Sequence, residues 1–261
     1  MNKRISVQDF ARFKAMGEKI VMITAYDACQ AFWCESAGCH ALLVGDSMGN
    51  TVLGYENTLP VTMEEMLSHT AAVRRASKNA MVIADLPFMS YQVSIEEALR
   101  NAGRCLKEAG ADAVKLESGS DLAPTVAKLV QAGIPVMGHV GLLPQSVLKD
   151  GGYRLHGKSV QEAEAIKNDA LSLQEAGAFS VVLEGIPAQL SQEISQILSI
   201  PTIGIAAGPH CDGQVQVISD LLNLSGAKPP RHAKVYADLC GVATAAIKKY
   251  VEEVKQDKFF Q

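Results

Sequence analysis

No stretch of this 261-residue chain runs uninterrupted through the ~18 apolar residues that a bilayer span needs. The first nineteen residues, MNKRISVQDFARFKAMGEK, are broken by charge throughout and lack the apolar centre of a signal peptide, so a cytoplasmic location is expected. Basic runs are also missing. Lys and Arg number 24 against 28 Asp and Glu, and their scatter argues against nucleic acid as the main partner. The six cysteines, at 29, 34, 39, 105, 211 and 240, form no CxxC pair. The five-residue steps from 29 to 39 would spread these side chains around a helix, so reduced, mostly buried thiols are expected. The dinucleotide fingerprint GxGxxG does not follow the first apolar run. The glycine-rich segment 204–213 (GIAAGPHCDG) lacks the Lys-Ser/Thr of a phosphate cradle and reads as a tight loop closing a site. Linkers and low-complexity tracts are absent, which leaves one domain spanning 1–261. A hydrophobic content of 48% supports a full core and excludes a disordered chain.

What is present is a repeated plan, an apolar run that stops at a residue able to do chemistry. Val21–Tyr26, Ala41–Ser47, Met81–Pro87, Ala113–Glu117, Pro135–Val140 and Val181–Glu184 carry at or near their ends Tyr26, Asp46, Ser47, Asp85, Lys115, Glu117, His139 and Glu184. Continuous apolar runs suit strands buried on both faces of a parallel sheet. Polar residues at their C-terminal ends suit a site at the rim of that sheet.

Helices fill the intervals. Ser6, Thr62, Ser94 and Ser159 are each followed three residues later by an acid, the start signal of a helix. Ala-Gly pairs at 37–38, 109–110, 132–133 and 176–177 stop the helical patterns just before strands. The alternation predicts strands at 21–26, 41–45, 81–85, 113–117, 135–139, 180–184 and 201–206. An eighth near 214–218 could equally open a helix. Seven or eight units in a chain of this length point to a closed (β/α)8 TIM barrel, with a helix over Val7–Met16 closing its bottom. Long connections at Ser47–Pro60 and Leu142–Lys158 leave strand C-termini and are expected to be functional. A last helix is expected over Ala237–Lys255, before a tail, Lys258–Gln261, suited to docking or fraying.

Asp46 and Asp85 at neighbouring strand ends would repel unless a cation lay between them. Oxygen ligands favour a hard divalent ion such as Mg2+. The same two residues could instead cap helices or brace loops. Lys115 and Glu117, two apart, face the same way. Either they satisfy each other, or Lys115 holds a substrate carboxylate and Glu117 touches the metal or its water. His139 is open between a core role and a rim role, whereas His40, His69, His156, His210 and His232 lack its setting. Glu184, among apolar neighbours, would be strengthened as a base or would bridge the rim network. Together these groups suit metal-assisted enolisation of an α-keto acid followed by an aldol-type step. A Schiff base on Lys115 would leave the acids without a purpose.

Several motifs narrow this further. They are Thr24-Ala25-Tyr26-Asp27, Leu43 to Gly49 (LVGDSMG), Thr58 to Thr62 (TLPVT), Ala84 to Met89 (ADLPFM), Val114 to Glu117 (VKLE) and Gly138 to Leu142 (GHVGL). Pro144-Gln145-Ser146, Gly151-Gly152-Tyr153, Leu183-Glu184, Gly204 to Gly208 and Cys211 to Gln214 continue the series. Taken in order across nearly the whole chain, they resemble the ketopantoate hydroxymethyltransferase family. The resemblance implies a barrel of the phosphoenolpyruvate/pyruvate-binding type that uses Mg2+. It also implies transfer of a hydroxymethyl group from 5,10-methylenetetrahydrofolate to 3-methyl-2-oxobutanoate, and a homo-oligomer, commonly a decamer. Carried over by position, Asp46, Asp85 and Glu117 stand at the metal. Asp46, Ser47, Asp85, Lys115 and His139 meet the keto acid, and Glu184 is the base. Ala206 stands where the family commonly has glycine, and Arg231-His232-Ala233-Lys234 replaces a more usual Arg-Phe-Val-Lys. A lyase or mutase of the same barrel superfamily is the alternative enzyme, but its Lys-Lys-Cys-Gly-His loop is missing. A non-catalytic keto-acid-binding protein would need a missing acid, and none is missing.

Overall fold

The computed structural model describes residues 4–117 and 119–259. Eight parallel strands close into a barrel in chain order, as the alternation requires. They are β1 (Ile20–Thr24), β2 (Ala41–Val44), β3 (Met81–Asp85), β4 (Ala113–Lys115), β5 (Val136–Gly141), β6 (Ser180–Glu184), β7 (Thr202–Ile205) and β8 (Gly213–Gln216). The ambiguous eighth run resolves into both readings side by side, a strand to Gln216 and then a short helix, Ile218–Leu221. Between β7 and β8 no helix intervenes, so the strict strand–helix alternation ends there.

Strands β2 to β7 show why their runs had to be largely apolar. Residues alternate between two cores. Met22, Leu43, Ile83, Ala113, Met137, Val182, Ile203 and Val215 form one cluster together with Phe10 and Phe13 of helix α1 (Val7–Met16). The intervening Ala84, Val114, Val136, Val181 and Leu183 join a second cluster with the outer helices. The first cluster is the barrel interior, and α1 plugs it from the end where the strands begin. Phe10 is fully buried, and its ring meets Phe179 edge to face at 5.4 Å. Lys14 pins the plug, donating to Asp212 Oδ2 at 2.8 Å and to the Ser195 carbonyl at 2.9 Å.

The punctuation behaves as its chemistry dictates. Thr62, Ser94 and Ser159 accept from the backbone N–H three residues on, starting helices at Met63, Ile95 and Val160. At the first helix the Ser6 hydroxyl instead donates to the Asp9 carboxylate, which also accepts from the Ser6 N–H. Gly38, Gly110, Gly133 and Gly177 all adopt positive φ, as helix-stopping glycines do. Gly213 has a different reason to lack a side chain. A Cβ there would lie 2.5 Å from the Ile20 carbonyl oxygen, where the last strand closes against the first. All six thiols are free, and Cys34, Cys39, Cys105 and Cys211 are buried.

The chain groups into two compact units, 1–215 and 216–261. Within the second, a helix spans Leu239–Lys255, two residues shorter than expected at its start, and Asp238 caps it. None of its residues is buried, although it carries Val242, Ile247, Tyr250, Val251 and Val254. Phe259 packs edge to face on Tyr250; the rest of the expected docking tail, residues 260–261, lies outside the described residues. Among the described residues no helix is long and apolar enough to cross a membrane.

Candidate active site

The inward-facing positions change character along each strand. Met81 and Ile83 of β3 are followed on the same face by Asp85; Ala113 of β4 is followed by Lys115 and then Glu117. On β5 and β6, Met137 and Val182 give way to His139 and Glu184. Period-two geometry therefore carries these chemical groups to the C-terminal mouth of the barrel, opposite the α1 plug. Asp46 and Ser47 lie just past β2. Asp46, Asp85, Lys115, Glu117 and His139 are all buried, at 5% exposure or less.

Lys115 finds its partner across the sheet. In the register of β3 and β4, Asp85 stands opposite Lys115, and the ammonium lies 2.6 Å from Asp85 Oδ1. The Lys115–Glu117 pair that sequence spacing suggested does not form. Two residues along a strand share a face, but the registered neighbour is nearer. Glu117 instead accepts through Oε2 from the Gln145 backbone N–H at 2.9 Å. Asp46 accepts through Oδ2 from Gln145 Nε2 at 2.9 Å, and its own N–H donates to Asp85 Oδ2 at 3.2 Å. Neither aspartate caps a helix. The Ser47 hydroxyl is paired with the Tyr26 hydroxyl at 2.9 Å.

The tautomer of His139 follows from its neighbours. Lys115 can only donate, and its Nζ lies 3.4 Å from His139 Nδ1, so Nδ1 is the acceptor and Nε2 carries the proton. That proton faces Glu184 Oε2 at 3.2 Å, although the angle falls short of a full hydrogen bond. Burial and the Lys115 charge push His139 below its ordinary value, which favours the neutral ring. Glu184 retains about a fifth of its side-chain exposure, the most open of the four acids, with 21% against 3% for Asp85 and Glu117.

The electrostatics are those of a site short of positive charge. Burial raises Asp46, Asp85 and Glu117; repulsion from Glu184 adds to it at Asp46, from Asp46 at Asp85, and from both aspartates at Glu117, and Asp85 reaches about 7 despite the lysine beside it. Burial alone would discharge Lys115, but Asp85, Glu117 and Asp46 more than offset it and hold the ammonium charged. Three buried acids thus share one lysine. Among the described residues no three His, Cys, Asp or Glu side chains converge at ligand distance. Mg2+ asks for less, because it keeps several waters and binds through one or two carboxylates. Hard oxygen donors and a surplus of buried negative charge, three acids against one lysine, fit such an ion.

Two residues at the centre of this network had no role assigned from sequence. Gln145, in a 3-10 turn after β5, and Tyr91, in the loop after β3, are both buried. The Tyr91 hydroxyl donates to Gln145 Oε1 at 2.7 Å and accepts from the Glu117 N–H at 3.2 Å. Their only sequence signal was the Pro144-Gln145-Ser146 motif. His156 lies outside the strand ends, as its sequence setting implies. It is buried in the 142–158 loop, with Nδ1 at 3.1 Å from Glu162 Oε1. A depression of about 320 Å3 lies elsewhere, lined by Glu164, Lys167, Leu171, Glu193 and Ile197 of two outer helices, and none of the mouth residues reaches it.

The family model described as ketopantoate hydroxymethyltransferase matches residues 4–261. A 3-methyl-2-oxobutanoate hydroxymethyltransferase from Carboxydothermus hydrogenoformans is 54% identical over 256 residues, covering 98% of this chain and 93% of that protein. A protein of the same name from Syntrophus aciditrophicus is also 54% identical, covering 98% of this chain and 94% of its own. Among solved structures, a phosphonopyruvate hydrolase in complex with oxalate and Mg2+ superposes with a TM-score of 0.65 at 12% identity, covering 98% of this chain and 88% of that one. A 2,3-dimethylmalate lyase of the PEP mutase/isocitrate lyase superfamily gives 0.61 at 19% identity, covering 96% and 87%. At these identities the two structures attest the barrel fold alone.

Proposed function

Because the chain belongs to the ketopantoate hydroxymethyltransferase family, we propose that it transfers a hydroxymethyl group from 5,10-methylenetetrahydrofolate to 3-methyl-2-oxobutanoate, giving 2-dehydropantoate for pantothenate synthesis in the cytoplasm. The observation that carries this reading is the cluster of three buried acids, one lysine and one more open glutamate at the barrel mouth.

Asp46 and Asp85 would hold Mg2+, with Glu117 beside it or bound to one of its waters. When bound, the ion supplies Lewis-acid polarisation of the keto acid. Lys115, charged and fixed by Asp85, is placed to meet the substrate carboxylate. Ser47, Asp46 and Asp85 complete the keto-acid contacts, together with His139. Glu184 takes the proton from C3, the carbon next to the ketone. The neutral His139 directs its Nε2–H at Glu184 and so orients that carboxylate without neutralising it. The resulting carbon nucleophile forms the new bond to the one-carbon unit, and both carbon–nitrogen bonds to the folate break. One water, together with the proton taken from C3, supplies the hydroxyl group and the N–H protons of the released tetrahydrofolate.

Two wider features belong to the same proposal. The family match runs unbroken from 4 to 261, which supports one functional domain that includes the second unit. The exposed apolar residues of the helix Leu239–Lys255 support self-association, with the decamer of the resemblance as the expected state.

Nuclear magnetic resonance of purified protein with both substrates tests the reaction. 2-Dehydropantoate should appear with Mg2+ and not with chelator. Folded, metal-replete protein that forms no product would overturn the reading in favour of a lyase. The base is tested separately: Glu184→Gln should lose exchange of the C3 proton with deuterated water, and exchange at the wild-type rate would rule Glu184 out.

A further inference from the structure

We infer that Gln145 is a positioning residue, which fixes the carboxylates of Asp46 and Glu117 from the side away from the ligand and thereby sets the affinity of the site for a divalent cation. The inference rests on the metal reading proposed above. Gln145 is 6% exposed and uses its amide to full capacity. Nε2 donates to Asp46 Oδ2 at 2.9 Å and to the Leu86 carbonyl at 2.9 Å; Oε1 accepts from the Tyr91 hydroxyl at 2.7 Å and from Gln92 Nε2 at 3.2 Å. Its backbone N–H donates to Glu117 Oε2 at 2.9 Å.

This arrangement has only one workable orientation. A flipped amide would set its oxygen against two acceptors that cannot turn into donors, Asp46 Oδ2 and the Leu86 carbonyl. Tyr91 is itself held by the Glu117 N–H at 3.2 Å, so the lock closes on the same glutamate that Gln145 grips. One residue therefore engages one oxygen of each of two acids, Oδ2 of Asp46 and Oε2 of Glu117. The other oxygen of each carboxylate is left for a ligand. The donors come from a turn after β5, whereas the acids stand beyond β2 and β4, so Gln145 also ties three strand ends together at a fixed separation. Such outer contacts orient ligands and typically change metal affinity by about 10–100-fold when removed.

Calorimetric titration of metal-free protein with MgCl2 tests this, comparing wild type with Gln145→Met and Tyr91→Phe. Urea unfolding of each metal-free variant serves as the structural control. Gln145→Met should bind Mg2+ about 10–100-fold more weakly, and Tyr91→Phe more weakly in the same direction by a smaller factor. In turnover, excess Mg2+ should restore much of the lost kcat, which a merely structural defect would not allow. Mg2+ affinity within twofold of wild type in folded variants would overturn the inference, whatever the change in stability. Should Gln145→Met fail to fold, Tyr91→Phe decides by the same criterion. Wild-type protein that binds no Mg2+ would overturn the metal reading itself, a result distinct from variants that bind as well as wild type.

Discussion

Glu35 sits one residue from the end of helix α2 (Ala28–Ser36), where a carboxylate opposes the helix dipole. Its presence there is explained by the turn before β3. Glu35 accepts from the Ser77 hydroxyl at 2.7 Å, the Lys78 N–H at 2.7 Å, and the Asn79 N–H and side-chain amide at 3.0 and 3.1 Å. Partial burial alone would raise its pKa, but these donors outweigh that and hold it below the ordinary 4.5. Glu35→Gln keeps the shape and removes the charge, and its NH2 must face a backbone N–H donor, that of Lys78 or that of Asn79. Hydrogen bonds to a charged acceptor contribute about 1.5–3 kcal/mol each, and Gln retains part of the set, so a loss of about 3 kcal/mol is expected. For a chain of this size that corresponds to a fall in Tm of roughly 6–12 °C. The pH dependence follows from the depressed pKa. The carboxylate's contribution is fully present above pH 4.5 and is lost as pH falls through the lower folded value. Urea unfolding of both proteins at pH 7, 5 and 4 should therefore show the gap narrowing toward acid. A gap below about 0.5 kcal/mol at pH 7, within the usual range of a neutral surface change, or one that widens on acidification would refute the reasoning.

Three further outcomes follow from the same structure. Lys115→Met removes the only cation that the described residues place among the buried acids; the KM for the keto acid should rise about 10–100-fold in steady-state assays, the equivalent of one charged hydrogen bond, and an unchanged KM would remove Lys115 from substrate binding. Phe10→Ala should destabilise by about 3–5 kcal/mol in urea unfolding, because the barrel interior cannot close over the lost ring. Ala206 adopts φ +51, so Ala206→Gly should stabilise by up to about 1 kcal/mol; a loss of stability would show that packing of the methyl group outweighs the backbone strain.

The barrel was legible because β2 to β7 are buried on both faces over nearly their whole length, and their apolar runs had to stop where the inward face turned polar. Asp85, Lys115, His139 and Glu184 were visible for that reason, as polar residues placed where the pattern demanded leucine or valine. β8 was less legible because its short run, Gly213–Gln216, is half-buried at alternate positions and meets a helix almost at once. The partner of Lys115 was hidden, since sequence spacing reports neighbours along a strand and register decides neighbours across the sheet. Gln145 and Tyr91 were harder still. The amide of Gln145 reaches an acid 99 residues away and a phenol 54 residues away, and no local pattern encodes such a meeting.

The plug formed by α1 has a practical consequence for anyone handling the protein. The chain enters the structure at the end of the barrel where the strands begin, with Arg4 and Ile5 tied to Lys78 and Asn79 there, while the acids open at the other end. A purification tag or surface tether joined ahead of Arg4 would attach at the end of the barrel opposite the candidate site, provided the joint stops short of Phe10 and leaves the seal unbroken.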